Sequence, residues 1–491
     1  MTANAPNPIP NLKEELRARF VGKTLYEVPA PSVVLDLAKL ENNCQKMLEA
    51  TQRRGLSWRA HIKTHKTTEL TRLQVGDNLS TPVRLVVSTL LEAENILPLL
   101  KEYKSRGREV NVLLGFPLIP SAVSRLAAFA SALGPGSLSV LVDHPSQLDA
   151  VTALRLITPG QHPPNVFIKV DTSAYRRAGV VRGSTDFYTL VNAVLDADSR
   201  GRCVMRGFYS HAGNSYSAPN DMVSAAEYLR RELEGLLLAG LDVRSMASRN
   251  GSDTRELVLS VGASPTAMVV QLPIHVQDGE LHASAPRVEK TIESLKTARF
   301  ELEVHAGVYT TLDLQQLATQ SIYPPLLTAD DIAISVIAEV ASVYPGRGPH
   351  STPEYLINAG TLALGREPVQ DRRSYDGWGI LMPWGPLAGK QPVPGADFPR
   401  VHKGWRVQRI SQEHGILTWT DTELPEGEDE PGVTDKIMKD LPKLKYGQRV
   451  RIWPNHSCIA GACYDWYLIV DSRREGKEDE VVDVWPRWRG W

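Results

Sequence analysis

The chain has 491 residues, 42% hydrophobic and 23% charged, with a formal net charge of −1; this is the make-up of a folded protein of two or three domains and excludes a disordered chain. The near-zero charge gives no hint of a nucleic-acid or membrane partner, and no apolar run reaches the roughly 18–20 residues that span a bilayer. The N-terminus lacks the layout of a secretory signal, and four cysteines (Cys44, Cys203, Cys458 and Cys463) are too few for a disulfide framework, so a reducing cytoplasm is the expected compartment.

In chain order, residues 1–30 read as an N-terminal segment that packs on a later β domain. From about Pro31 to Leu302, apolar β-rich runs (SVVLDL, RLVVS, VNVLLG, LSVLVD, NVFIKVD, CVMRGFYS, ELVLSV) alternate with helical patterns such as Leu37–Thr51, Pro120–Ala132, Asp143–Leu156 and Ala218–Leu238. Near-continuous apolar strands separated by amphipathic helices predict a parallel α/β sheet, and the number of units predicts a (β/α)8 TIM-type barrel over residues 31–315, with an open doubly wound sheet as the alternative. After Tyr309 the texture changes. DDIAISVIAEVASVY, EYLINAGTLAL, WRVQRISQEHGILTW, QRVRIWPN and WYLIVD read as short strands between turns, which predicts a mainly antiparallel β domain over 316–491. Arg366–Arg400, rich in Gly, Pro and Trp, reads as a long ordered loop, and the acidic Glu423–Asp435 as a solvated excursion.

Chemistry in such a barrel sits at the C-terminal ends of the strands. Four polar segments fall there. Lys63, in RAHIKTHK, lies between His61 and His65, where positive neighbours and burial would make its amine nucleophilic; Lys66 is its competitor, on a first helical turn facing solvent or a phosphate. KVDTSAYRRAGV places Arg177 near a possible ring or oxygen anion, the alternative being a loop arginine paired to Asp171. YSHAGNSY supplies Tyr209, His211 and Tyr216. In SVGASPT, Gly262 and Ala263 let backbone N–H groups approach an anion, and Ser264 and Thr266 add hydroxyls. Gly307 and Tyr309 are candidates for the same anion. Far along the chain, His456 and Cys458 are two residues apart. On an extended segment they would share a face, and imidazole and thiolate are good zinc ligands; a buried Cys beside a hydrogen-bonded His is the alternative. Cys463 is a further thiol without an assigned role.

Together these segments resemble the D-serine dehydratase and D-threonine aldolase family, from about Pro29 to the final WPRWRGW. The resemblance implies an alanine-racemase-like barrel with a C-terminal β domain and a pyridoxal 5'-phosphate cofactor bound by Lys63 as a Schiff base. It implies that Arg177 lies beside the phenolic oxygen, that the YSHAGNSY and SVGASPT loops contact ring and phosphate, and that His456 and Cys458 hold Zn2+. The His-x-Cys pair resembles the eukaryotic zinc-dependent D-serine dehydratases, whereas bacterial D-threonine aldolases carry His-x-Asp. The expected activity is therefore β-elimination of D-serine, and possibly D-threonine, to a 2-oxo acid and ammonia in a homodimer, acting on a small D-amino acid with no nucleic-acid or membrane partner. Retro-aldol cleavage of D-β-hydroxy amino acids remains an alternative. So does racemisation, with Tyr355 or Tyr464 as a second base, and so does a cofactor-binding regulatory protein without turnover. Tyr175, Arg176 and Arg177 put a second arginine where many relatives carry another residue, and Asn358 stands where relatives often have Asp. Glu413 and His414 in SQEHG look family-like without a defined role.

Overall fold

The computed structural model describes residues 12–172, 176–217, 221–249, 256–273, 281–322, 324–369, 374–422, 437–439 and 441–491. Residues 1–11, Tyr175 and the acidic stretch 423–435 lie outside the described residues. Two compact units divide the chain: residues 1–43 with 310–489, and residues 44–309 with 490–491. Among the described residues no helix is long and apolar enough to cross a membrane.

The first strand departs from the sequence expectation. β1 (Ser32–Asp36) does not start the barrel. It pairs antiparallel with Ile334–Ile337 and parallel with Leu468–Val470, inside the antiparallel sheet. Its apolar run, buried on both faces, suits a central strand of either sheet, so its composition does not name its partners.

The second unit is the barrel. Its strands are β2 (Ser57–His61), β3 (Val83–Val87), β4 (Val110–Pro117), β5 (Leu138–Val142), β6 (Asn165–Asp171), β7 (Val180–Val181), β8 (Val204–Tyr209), β9 (Val258–Val261) and β10 (Glu301–Ala306). Eight of them pair in parallel in the order β5-β4-β3-β2-β10-β9-β8-β6, and β5 returns to β6 to close the ring; β7 only extends β6. Helices between the strands bury one stripe, as in Leu190, Val191 and Val194 of Thr185–Ser199, which Ser184 caps by accepting the Phe187 N–H. The closing strand β10 is the barrel element the apolar pattern missed. Its inward positions carry Glu303 and His305, while Leu302 and Val304 are buried on the other side. Inside the barrel, the Arg59 guanidinium meets Glu303 at 2.6 Å, and Arg84 bridges Glu301 and Glu303. Burial opposes ionisation of Glu303, but the two arginines outweigh it and hold its carboxyl below the ordinary range. A buried pair of this kind is costly to break, because the survivor is left as an uncompensated charge. Above this layer Val86, Leu113, Leu141, Phe167, Tyr209 and Val258 form an apolar plug.

The first unit is a nine-stranded sheet. With β1 it contains β11 (Ile334–Tyr344), β12 (Glu354–Ile357), β13 (Gly379–Leu381), β14 (Lys403–Ile410), β15 (Gly415–Asp421), β16 (Arg449–Pro454), β17 (Trp466–Val470) and β18 (Asp483–Pro486). Their order is β12-β15-β14-β13-β16-β11-β1-β17-β18, and β11 also pairs with β12. The Arg366–Arg400 stretch is not all loop: its Gly379–Leu381 run sits between β14 and β16. Three residues among glycines and prolines are too few for a periodic signal. One core gathers around Trp405, Tyr355 and Ile452. A second holds Leu16 and Phe20 of the helix Leu12–Phe20 against Leu468 and Val484.

Candidate active site

The end of β2 turns sharply. The Lys66 N–H donates to the Ile62 carbonyl at 2.9 Å, with Lys66 at φ 51°. His61, Ile62, Thr64 and His65 are buried, and Lys63 is exposed between them. The turn therefore directs one amine outward, not into the buried setting the sequence suggested. The His61 Nδ1 accepts the Lys63 backbone N–H at 3.4 Å. The His65 Nδ1 accepts the Thr67 N–H at 3.1 Å, so its Nε2 carries the proton donated to Gln74 Oε1 at 2.9 Å. Lys66 is committed to an ion pair: its Nζ is 3.1 Å from the fully buried carboxylate of Glu92.

β8, β9 and β10 bring three further groups to this mouth. The His211 Nδ1 is 2.6 Å from the Gly262 carbonyl, an acceptor only, so Nδ1 is the protonated nitrogen and Nε2 keeps its lone pair. Burial, reinforced by the Lys63 and Lys169 ammonium groups, pushes His211 down to about 3. His61 and His305 are likewise held well below the ordinary range, first by burial and then by neighbouring positive and imidazole groups. All three rings are therefore neutral at pH 7. His305 stacks on Tyr209 with centroids 4.2 Å apart, takes Ser260 Oγ at 3.1 Å on Nδ1, and leaves a buried Nε2 without a hydrogen bond. Tyr209 is thus a buried support under His305, with Lys169 Nζ 5.1 Å over its ring. Tyr216 is half-buried in the turn Gly213–Ser217.

The glycines at two strand ends have a steric cause. At Gly262 (φ +151°) a Cβ would stand 2.0 Å from the His305 carbonyl oxygen, and at Gly307 a Cβ would stand 2.9 Å from the His61 carbonyl. Only glycine lets these chains approach so closely. After Gly262 the helix Ser264–Met268 begins. The Thr266 hydroxyl takes the Ala263 N–H at 3.0 Å and donates to the Ala263 carbonyl at 3.1 Å. Thr266 and the Ala263 amide thus shape the turn, which leaves the Ser264 hydroxyl as the side-chain donor. Tyr309 is buried with its ring edge-on to Trp58, and its hydroxyl, near Gln74 and Cys44, makes no well-aligned hydrogen bond. The backbone N–H of Arg177 donates to Asp171 Oδ2 at 3.1 Å. Its exposed guanidinium carbon lies 3.8 Å from where a Cβ on Gly213 would stand, beside the His211 ring at 3.5 Å from the same point.

Two site residues were missed in the sequence. Lys169 lies near the end of the apolar strand β6 and reads there as an ordinary flank. Glu232 interrupts the buried stripe Leu229, Leu233 and Leu236 of the helix Met222–Arg249, and a carboxylate in an apolar stripe was the available signal. Burial raises its carboxyl to about 7. The Ser210 hydroxyl and the Gly262 and Ala212 N–H groups pull the other way without forming well-aligned bonds, and Lys169 adds a smaller opposing pull. A folded-state value above the ordinary 4.5 means that ionisation favours the unfolded chain: stability is full below pH 4.5 and is lost as pH rises toward 7. Glu232→Gln is expected to match the wild type in urea melts near pH 4.5 and to exceed it at pH 8 by about 3 kcal/mol. Parallel pH profiles would disprove the shift.

In the sheet unit, the His456/Cys458 pair is not on a strand. β16 ends at Pro454, His456 is the N-cap of the helix Ser457–Ala462, and Cys458 is its second residue. The pair meets across this turn. Burial lowers His456, but the Cys458 sulfur, Asp313 and Glu367 outweigh burial and raise it to about 9. The His456 Nδ1 is buried without a hydrogen-bond partner. Among the described residues no group of three or more His, Cys, Asp or Glu gathers as a metal shell, so a cation here would have two protein ligands and open positions. Cys463 packs on the same helix, its thiol 3.5 Å from the Ile459 carbonyl. The two candidate second bases are engaged: the Tyr355 hydroxyl accepts the Leu444 N–H at 3.2 Å and that of Tyr464 donates to the Ala363 carbonyl at 3.0 Å. Asn358 accepts the Glu339 N–H and donates to the Ala30 carbonyl, a donation an Asp could not make. Glu413 and His414 are exposed on the hairpin between β14 and β15.

Comparison with known proteins identifies the family. The family model described as "Putative serine dehydratase domain" matches residues 333–470. D-serine dehydratase of Schizosaccharomyces pombe is 34% identical over 98% of this chain and 96% of its own length. The solved D-threo-3-hydroxyaspartate dehydratase from Delftia sp. HT23 is 25% identical, with a TM-score of 0.66 over 96% of this chain and all of that one. Alanine racemase of Clostridium difficile 630, at 10% identity and a TM-score of 0.51 over 93% of this chain and 98% of that one, shares the fold. A full-length relative above 30% identity, together with the serine dehydratase domain matched over residues 333–470, shows that the chain belongs to the D-serine dehydratase family.

Proposed function

We propose that this protein is a D-serine dehydratase that eliminates water from D-serine to give pyruvate and ammonia, using pyridoxal 5'-phosphate and Zn2+. The observation that carries the reading is the full-length likeness to a D-serine dehydratase. The residues fit both groups. Lys63 supplies an exposed amine at the strand end, His305 Nε2 is a buried ring nitrogen without a hydrogen bond near it, and the His456 Nδ1 is a buried nitrogen without a partner beside a thiol.

When bound, the cofactor supplies an electron sink for a carbanion at Cα, and zinc supplies a Lewis acid for a departing hydroxide. Lys63 would hold the cofactor and then, freed by the substrate amine, take the Cα proton onto Nζ. His211, neutral and fixed by the Gly262 carbonyl, would present an uncharged imidazole to the ring. Arg177 would pair with an oxygen anion. Gly262 and Ser264 would contact the phosphate, while Ala263 and Thr266 hold the turn. His456 and Cys458 would hold the metal, with solvent or substrate completing the shell. The engaged Tyr355 and Tyr464 hydroxyls count against a racemase with either as second base. We place the enzyme as a soluble cytoplasmic homodimer on the family resemblance.

The test is a product assay. Purified protein supplied with both groups is expected to release pyruvate and ammonia from D-serine and not from L-serine. Glycine and an aldehyde from a D-β-hydroxy amino acid, without pyruvate from D-serine, would replace this reading with the aldolase.

A further inference from the structure

We infer that Asp313 is the positioning residue of the His456–Cys458 pair, gripping the turn between them from 144 residues away in the chain. The inference rests on the metal reading above. Asp313 is fully buried, and each of its carboxylate oxygens has one job. Oδ1 accepts the Gln316 N–H at 2.8 Å and so caps the helix Leu314–Ala318. Oδ2 accepts the Ser457 N–H at 2.8 Å. Ser457 is the residue between the two ligands and the first of its helix, where an N–H has no partner within the helix. His456, the N-cap, makes no side-chain cap bond of its own. One carboxylate therefore caps two helices and ties them together.

Two further bonds fasten the same segments. The Ser457 hydroxyl donates to the Leu312 carbonyl, and the Gln315 N–H donates to the Asn455 carbonyl at 3.0 Å. Residues 312–315 thus bracket residues 455–457. Leu312 takes a left-handed backbone (φ 51°) that brings its carbonyl and the Asp313 side chain to the turn together. The physical reason for such a bracket is the small number of ligands. Two protein ligands bind a metal well only if their backbone is already in the binding geometry, since no further ligand can correct it. Groups that orient metal ligands are worth about 10- to 100-fold in affinity.

Asp313→Ser separates the two jobs. Serine is a good N-cap and can still serve Gln316, but it is too short to keep the Ser457 bond. In the full-length, cofactor-loaded protein stripped of metal, zinc titrated against a chromophoric chelator is expected to bind Asp313→Ser about 10- to 100-fold more weakly than wild type. Cobalt added in place of zinc is expected to give a weakened thiolate-to-metal absorption band. The cofactor absorption should stay near wild type, the metal-free protein should melt a few degrees lower for the one buried hydrogen bond lost, and saturating zinc should restore kcat. Asp313→Asn, which can accept one N–H and not both, gives a second measurement should the serine variant not fold. His456→Ala is the reference. If it abolishes zinc binding while Asp313→Ser binds zinc within twofold of wild type, the positioning role is overturned and the metal reading stands. If His456→Ala binds zinc as wild type does, the metal reading falls and this inference falls with it.

Discussion

Lys63→Ala is expected to lose D-serine turnover by at least about 10⁴-fold, the upper end of what a single positioned acid or base contributes. Its absorption band near the visible edge should vanish, because the covalent attachment to the protein disappears with the amine. The argument is geometric. Around the β2 turn the neighbours are committed: Lys66 to Glu92, His65 to Thr67 and Gln74, and Lys63 alone of residues 61–65 is exposed. For the same reason the variant should fold. An exposed side chain away from caps and core changes stability by no more than about 0.5 kcal/mol. A Lys63→Ala protein that keeps the band would move the attachment to another amine, and Lys169, over the Tyr209 ring, would be the first to test.

Cys458→Ala, or removal of metal by a chelator, is expected to lower kcat by about 10³-fold while the cofactor band remains. Hydroxide is a poor leaving group, and a Lewis acid that stabilises it contributes several kcal/mol. About 4 kcal/mol corresponds to that factor. The raised His456 bears on the preparation. The Cys458 sulfur and the Asp313 and Glu367 carboxylates favour the protonated imidazole in the metal-free protein, so a metal must displace that proton and zinc should bind more tightly as pH rises. Metal content measured alongside kcat checks the prediction. A chelated enzyme with full turnover would remove zinc from the chemistry.

Much of the barrel was legible because its strands declare themselves locally. RLVVS, VNVLLG, LSVLVD, NVFIKVD and ELVLSV are continuous apolar runs, and each is a barrel strand. β10 was not, since its inward face carries Glu303 and His305 where the pattern demands apolar residues. The Glu303 charge is tolerated there only because Arg59 and Arg84 reach it from other strands. The same limit explains Thr266 and Lys66. Each was a plausible anion contact by residue type, and each is engaged by a partner that residue type does not reveal.

The order of residues was enough to specify a parallel barrel and an antiparallel sheet, and to single out the Lys63 amine and the nitrogen–sulfur pair at 456 and 458 as candidates. These depend on periodicity and side-chain chemistry, which are local. Folding alone assigned β1 to the antiparallel sheet, wound the His-x-Cys segment into a helix start, and set Asp313 against Ser457. Those outcomes depend on which distant backbone supplies a hydrogen-bond partner, and a strand or an orphan N–H carries no mark of the group that will meet it.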